Sequence, residues 1–368
     1  MPKCKKATAI LTAGAPTAPL LAGALAAIYD RGKTFDRFFT SGAGGLVAAT
    51  FLAPPEGHDA SEALSWVVNV GVSDSLYRIF PMPFKVFTKP GPVAPLFESL
   101  GRRLHLQVQD KDRRYASDDL RRLYNDLIDL WSTALSPSTL KLFSKGLCQP
   151  LPSFGEFVDL HKLNKLQGKY FLNAYNLSKQ RMENFKAADI TDDHLQAATA
   201  FPFIYPPKEI GHDEYIEGAT IDPINLPKLN DIKPAIKKKE RLILFDVLRD
   251  YRPAFIRRPR NLIEAWSVEI FAPTVALAER ILEGHSEEID RPSGRKPRDL
   301  KVRVNKKPHT LKLIEFHIKE RDYSTLMEWS HSSMVRLWQI GYKAGDDFVE
   351  KKGDLLPDRQ PYSAMPKD

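Results

Sequence analysis

Between Phe35 and Ala49 the chain passes from a short aromatic, strand-forming run through Thr40-Ser41-Gly42-Ala43-Gly44-Gly45 into an unbroken small, apolar stretch. That order dictates a strand, a sharp turn and a helix lying close on the strand, because glycine and alanine permit close backbone approach. It matches the frame of a nucleophile elbow, G-x-S-x-G, whose apex carries the reactive residue. Counted back from Gly44, the apex falls on Gly42 and the leading glycine position on Thr40. Glycine has no side-chain atom that could attack. Ser41 and Thr40 do not stand in for it, since neighbours on a sharp turn point away from the apex, into the sheet or the helix packing.

Upstream, Ala7 to Thr12 reads as a short buried strand, followed by the small-residue loop Ala13 to Ala18 and a helix from about Pro19 to Tyr29. Pro19 suits a first helical turn, where its missing N–H is not needed. Strand, loop, helix, strand, elbow and helix in this order begin a parallel α/β sheet. Downstream, the apolar period predicts a helix over Ser117 to Leu142, strands at Lys169–Asn176 and Arg241–Val247, and a helix capped at Ile190–Asp193 and ending at Ala200. Tyr215-Ile216-Glu217-Gly218-Ala219 reads as a strand edge turning over. A helix over Arg260–Leu282, a strand over Leu311–Ile318 and a helix from about Ser324 to Glu350 follow. The proline- and aromatic-rich segment from 54 to 102 is either an irregular packed stretch or an apolar cap over an acyl-chain site.

At 368 residues the chain is long for one domain, and the pattern predicts an α/β core over 1–235. Residues 236–368 form an extension that completes or packs on it, with a mobile basic loop near 286–301 and a disordered tail from about 357. Fifty-four Lys and Arg against 46 Asp and Glu give a net charge of +8, concentrated at Lys233–Lys239, Arg257–Arg260 and Arg295–Lys307. This is solvated surface or a peripheral dock on an anionic membrane, where each basic group adds about 1 kcal/mol. No nucleic-acid motif accompanies it.

Two distant cysteines, Cys4 and Cys148, predict no disulfide framework and a reducing, cytoplasmic setting. Lys3-Cys4-Lys5-Lys6 and the apolar stretch behind it imitate a signal peptide. Pro16 and Pro19 interrupt that stretch, and cleavage near Ala24 would delete a strand and a helix the fold needs. No later stretch reaches the roughly 18 apolar residues of a spanning helix. Nine histidines lie scattered without H-E-x-x-H or Cys/His spacing, so no metal site is expected. Asp192-Asp193-His194 and His212-Asp213-Glu214 read as cap and turn residues, and no phosphate or dinucleotide loop calls for a cofactor.

Four segments in order give the chain a resemblance to the patatin-like phospholipases. They are Ala13–Ala18 leading into Gly23-Ala24-Leu25, the elbow at Gly42, Ala197 to Pro207, and Tyr215-Ile216-Glu217-Gly218-Ala219, spread over roughly residues 7 to 247. The tail, from Arg321-Asp322-Tyr323 through Trp338 to Gly341-Tyr342, is similar to an extension of a bacterial subgroup of these proteins. The resemblance implies a three-layer α/β fold with a mainly parallel sheet, plus a mostly helical C-terminal extension.

In that family a serine–aspartate dyad hydrolyses acyl esters while backbone N–H groups hold the oxyanion. By the same resemblance Gly42 stands at the serine, Glu217 at the aspartate, and Thr17 at an arginine of the oxyanion loop. Pro16 cannot donate an N–H. Ala13 and Ala15 replace glycines, while Gly14, Ala43 and Gly44 keep the frame of an oxyanion or ligand site. The implied function is non-hydrolytic binding of an acyl-lipid or other apolar ligand. The alternatives are a repurposed hydrolase working through Glu217 and water, and a scaffold for a protein partner.

Overall fold

The computed structural model describes residues 6–12, 14–86, 118–135, 145–148, 154–231, 235–237, 239–248, 256, 258–259, 262–285 and 299–359. In chain order the regular elements are β1 (Ala7–Leu11), α1 (Ala18–Asp30), β2 (Arg37–Thr40), α2 (Ala43–Leu52), α3 (Ala60–Ser65) and α4 (Asp74–Ile79). They continue with α5 (Asp118–Leu135), α6 (Leu160–Asn164), β3 (Tyr170–Asn176), β4 (Arg181–Lys186), α7 (Asp192–Thr199), β5 (Lys208–Ile210) and β6 (Asp213–Glu217). Last come β7 (Arg241–Phe245), α8 (Leu262–His285), β8 (Asp299–Val304), β9 (Lys307–Leu313) and α9 (His331–Lys352).

These strands form one mixed sheet in the order β5-β6-β3-β2-β1-β7-β9-β8, with β4 on β3. The centre is parallel: β2, β7 and β3 run with β1 or with each other, and β9 runs with β7. β1 is buried along its whole length, as its continuous apolar run requires of a central parallel strand. Helices flank the sheet, in keeping with the α/β fold that the sequence predicts. β7, β9 and β8 all lie in this same sheet, so residues beyond 236 contribute three of its strands.

α1 and α9 cross at van der Waals limits. A Cβ on Gly341 would lie 2.1 Å from the Leu20 carbonyl oxygen, and one on Gly23 2.1 Å from that of Trp338. Only glycine permits this approach, and it brings α9 down onto the helix that follows β1.

Several elements differ from expectation. α9 begins at His331 instead of near 324, because Ser330 caps it by accepting the Ser333 N–H at 3.3 Å, while 324–327 form a separate 3-10 turn. β9 starts at Lys307 and pairs with β8 through a tight turn at Asn305-Lys306, both at positive φ. Residues 299–301, read as the end of a loop, open β8, and 286–298 lie outside the described residues. Of the tail, residues 357–359 are tied to 32–34: Thr34 N–H donates to the Pro357 carbonyl and Arg359 N–H to that of Gly32. The rest of the tail lies outside the described residues, as do 233, 234 and 238 of the basic run at 233–239 and 257 and 260 of that at 257–260. Among the described residues no helix is long and apolar enough to cross a membrane, and no group of His, Cys, Asp and Glu could hold a metal ion.

Candidate functional site

β3 sets the site. β4 pairs with it from Phe171 to Asn176 and so occupies one edge, leaving the other edge to be shared. β2 takes the first half of that edge, where Thr40 meets Leu172, and β6 takes the second, where Glu217 meets Ala174. β2 runs parallel to β3 and β6 antiparallel, so their C-terminal ends approach one another at the level of Asn173. Two segments some 170 residues apart in sequence thereby bring Gly42 and Glu217 to the same gap in the sheet.

The turn after β2 keeps an elbow conformation. Gly42 is buried at φ +52 and ψ −133 and immediately precedes α2. Side-chain-bearing residues occupy that region only at a cost in strain. The Gly44 N–H donates to the Ser41 carbonyl at 3.1 Å and that of Gly45 to the Gly42 carbonyl at 2.9 Å. A Cβ on Gly44 would sit 2.7 Å from the Thr12 carbonyl oxygen, so this position too needs glycine. The hydroxyls beside the apex turn inward: Ser41 donates to the Asp222 carbonyl at 2.9 Å and Thr40 to the Phe171 carbonyl at 3.1 Å. Both are fully buried.

Gly14, at φ +141, opens the loop after β1. Thr17 turns its hydroxyl back onto the Gly14 carbonyl at 3.0 Å, so it caps its own loop. Ala15 starts the 3-10 turn Ala15–Thr17, and Ala13 lies outside the described residues.

A cavity of about 360 Å³ adjoins this gap, and Gly14, Pro16, Ala43 and Glu217 all reach its wall. Most of the wall is apolar. α2 supplies Leu46 and Val47, the segment around α3 Leu64, Val67 and Val70, and α8 Trp266, Ile270 and Phe271. Phe154, Phe157, Phe201, Ile204 and Trp329 complete it. Thus the part of the 54–102 segment up to Val86 roofs the cavity, while 87–102 lies outside the described residues. This roof is pinned to α5. Asp126, almost wholly buried, accepts the Ser73 N–H at 2.6 Å and pairs with Lys85 Nζ at 2.6 Å. Leu123, Leu127 and Leu130 of the same helix pack against Val72, Leu76 and Phe84.

Glu217 is 9% exposed, and among the described residues its carboxyl makes no hydrogen bond or ion pair. Burial alone pushes its pKa up to about 8, so the protonated acid prevails at neutral pH. Its backbone N–H donates to the Ala200 carbonyl at 3.0 Å, which ties β6 to the end of α7. Tyr205 lies close by and donates its phenol to the Val86 carbonyl at 2.5 Å; burial, then Cys148 and Glu217, raise its pKa. α7 itself starts at Thr191 with a capping box to His194, so Asp192-Asp193-His194 is a cap, as read.

Three contributors escaped the sequence reading. The Asp222 carbonyl joins the elbow to β3 by accepting from both Ser41 Oγ and Asn173 Nδ2, at 2.9 and 2.7 Å. Asp222 Oδ1 accepts from the Ile224 and Asn225 N–H groups, and Asp222-Pro-Ile-Asn was a legible Asx-turn signal. Lys85 and α8 reach the wall from positions that no local spacing connects to the elbow.

A family model described as patatin-like phospholipase matches residues 10–229. Among solved structures, the crystal structure of VipD from Legionella pneumophila is similar at 14% identity and a TM-score of 0.39, over 94% of this chain and 67% of that one. No match is found among curated proteins. The family match takes in the end of β1, the elbow, β3 and β6, more than half of the 368 residues, and the chain belongs to the patatin-like phospholipase family.

Proposed function

We propose that this member of the family binds an acyl chain or similar apolar lipid-like ligand without forming a covalent acyl intermediate. The observation that carries this reading is Gly42 at the apex of a retained strand–turn–helix, beside a largely apolar cavity. Groups that share one chemical step act as a unit, so losing the attacking atom removes several orders of magnitude in rate. The apolar wall, in contrast, needs no nucleophile to hold an alkyl chain. Ala43 stands at the first position of α2, where an N–H has no intrahelical acceptor and can meet a ligand oxygen. Gly14, Ala15, Thr17 and Gly44 shape the loops around that point, with Pro16 lacking an N–H to offer.

The test pairs binding with chemistry. The purified chain should retain a fluorescent fatty-acyl ester and remain unmodified by a fluorophosphonate probe, as read by intact mass. Labelling of a residue in the 40–44 turn would reject the reading.

A second reading has one supporting observation. A carboxyl whose pKa lies near 8 suits a general base at mildly alkaline pH, and Glu217 could activate a water for direct attack. Hydrolysis of a short-chain ester that Glu217→Ala abolishes, without covalent labelling, would favour it. Peripheral association with an anionic membrane through the basic segments is tested by co-sedimentation with vesicles containing phosphatidylserine. Retention of a protein partner by a Glu217→Ala chain would mark a scaffold role for the region beyond 236.

A further inference from the structure

Among the described residues, polar recognition in the cavity narrows to one side chain. Lys85 is taken up by Asp126 and by the Asn69 and Gly71 carbonyls. Thr50, Thr199 and Thr274 each return their hydroxyls to a carbonyl four residues back. Gln196 is held between Asp192 and Lys208, and Ser267 is not free. Glu217 lines the same wall nine-tenths buried and, among the described residues, without a partner. A second feature shares that wall: the start of α2, a helix of ten residues, at Ala43. Its positive end and its unpaired N–H favour an anionic oxygen and oppose a cation.

Resting on the acyl-ligand reading above, we propose that the cavity selects a free long-chain carboxylic acid over the corresponding ester. The ligand carboxylate accepts hydrogen bonds from the Ala43 N–H and from the carboxyl hydroxyl of Glu217, and its chain lies along the apolar wall. Such charge-assisted bonds are about twice as strong as those to a neutral ester carbonyl. At about 360 Å³ the cavity is also at the small end of ligand pockets, a size that suits a single alkyl chain.

The pair needs one proton between two carboxyls, and Glu217 supplies it until it ionises near pH 8. Among the described residues the other ionisable groups on the wall are Tyr205, kept neutral by burial, and Lys85, already paired. On the elements packed against β6, Lys208 of β5 pairs with Asp193, and Glu209, Asp192 and His194 do not reach the wall. Glu264 on α8 and Asp222 are buried but also lie off the wall.

The test is calorimetric titration of the full chain with dodecanoate, methyl dodecanoate and dodecylamine between pH 6.5 and 9.5. Dodecanoate should bind wild type at least tenfold tighter than the ester at the low end, and should lose about tenfold per pH unit above about 8. Glu217→Gln keeps an N–H donor but does not titrate, so its affinity for dodecanoate should stay flat with pH. Equal binding of acid and ester, a flat wild-type profile, or preference for the amine overturns the inference while leaving the apolar-ligand reading intact. Failure of all three probes to bind at any pH overturns both. The wild-type comparisons alone decide the matter, whatever the variant's stability.

Discussion

Replacing Gly42 by alanine asks whether the elbow is strained. The backbone there sits at φ +52 and ψ −133, outside the basins that side chains tolerate. Holding a non-glycine residue in such a region costs about 1–3 kcal/mol. Alanine also narrows the unfolded ensemble, which offsets about 0.4–1 kcal/mol where the backbone is compatible and less where it is not. The expected net loss is about 1–2 kcal/mol. Melting entropy of about 2.1 cal/mol/K per residue gives this chain about 0.8 kcal/mol/K, so Tm should fall only about 1–3 °C. Guanidinium unfolding is the better assay: the midpoint should drop with an unchanged slope, since the surface exposed on unfolding is the same. Gly42→Ser should show a similar loss. A Gly42→Ala chain as stable as wild type, or more stable, would refute the strain argument. It would also remove the physical reason for glycine at the apex.

Other consequences follow from the packing and the charges. Gly341→Val would force a side chain against the Leu20 carbonyl, and overpacking of this kind should cost about 1–3 kcal/mol or prevent α9 from docking, as read by unfolding and near-UV circular dichroism. Asp126→Asn removes the charge that half-buried Lys85 pairs with, while the Asn69 and Gly71 carbonyls still accept from it; a loss of about 1.5–3 kcal/mol and faster proteolysis between 60 and 86 are expected. Glu217 gives a pH signature. Its folded pKa, raised from 4.5 to about 8, means that the folded state keeps a proton which the unfolded chain has released. Stability therefore falls as pH rises from about 4.5 towards 8 and levels off above. Glu217→Gln should abolish that slope, so its advantage over wild type grows through this window; parallel slopes for the two chains would contradict the burial of an unpaired carboxyl.

What the amino-acid pattern could announce depended on how local the physics was. β1, α1, β2, α2 and β7 are runs of buried residues bounded by turn formers, and such runs are legible. β4, with Arg181, Glu183 and Lys186, is exposed at both ends, buries only Phe185 and lacks an apolar period, so its pairing with β3 is what makes it a strand. The β8–β9 turn uses Asn305-Lys306 where Asn-Gly would have been a strong signal. Gly42 and Glu217 stood out because the elbow and the Glu-Gly-Ala turn are short motifs. Their convergence was implied only by the family resemblance and not by local pattern, because it arises from the shared edge of β3, a long-range register. The cavity wall drawn from α8 and the Lys85–Asp126 pin belong to the same class of tertiary information.

The most decisive measurement is the fate of an ester held by the protein. Incubating the purified chain with a radiolabelled long-chain acyl ester, isolating the complex and extracting the lipid distinguishes holding from cleaving. We expect the ester to be recovered intact, at the same yield from wild type and Glu217→Gln. Release of free acid by wild type, lost in Glu217→Gln, would show that water attack still operates at this elbow and that the chain remains a hydrolase.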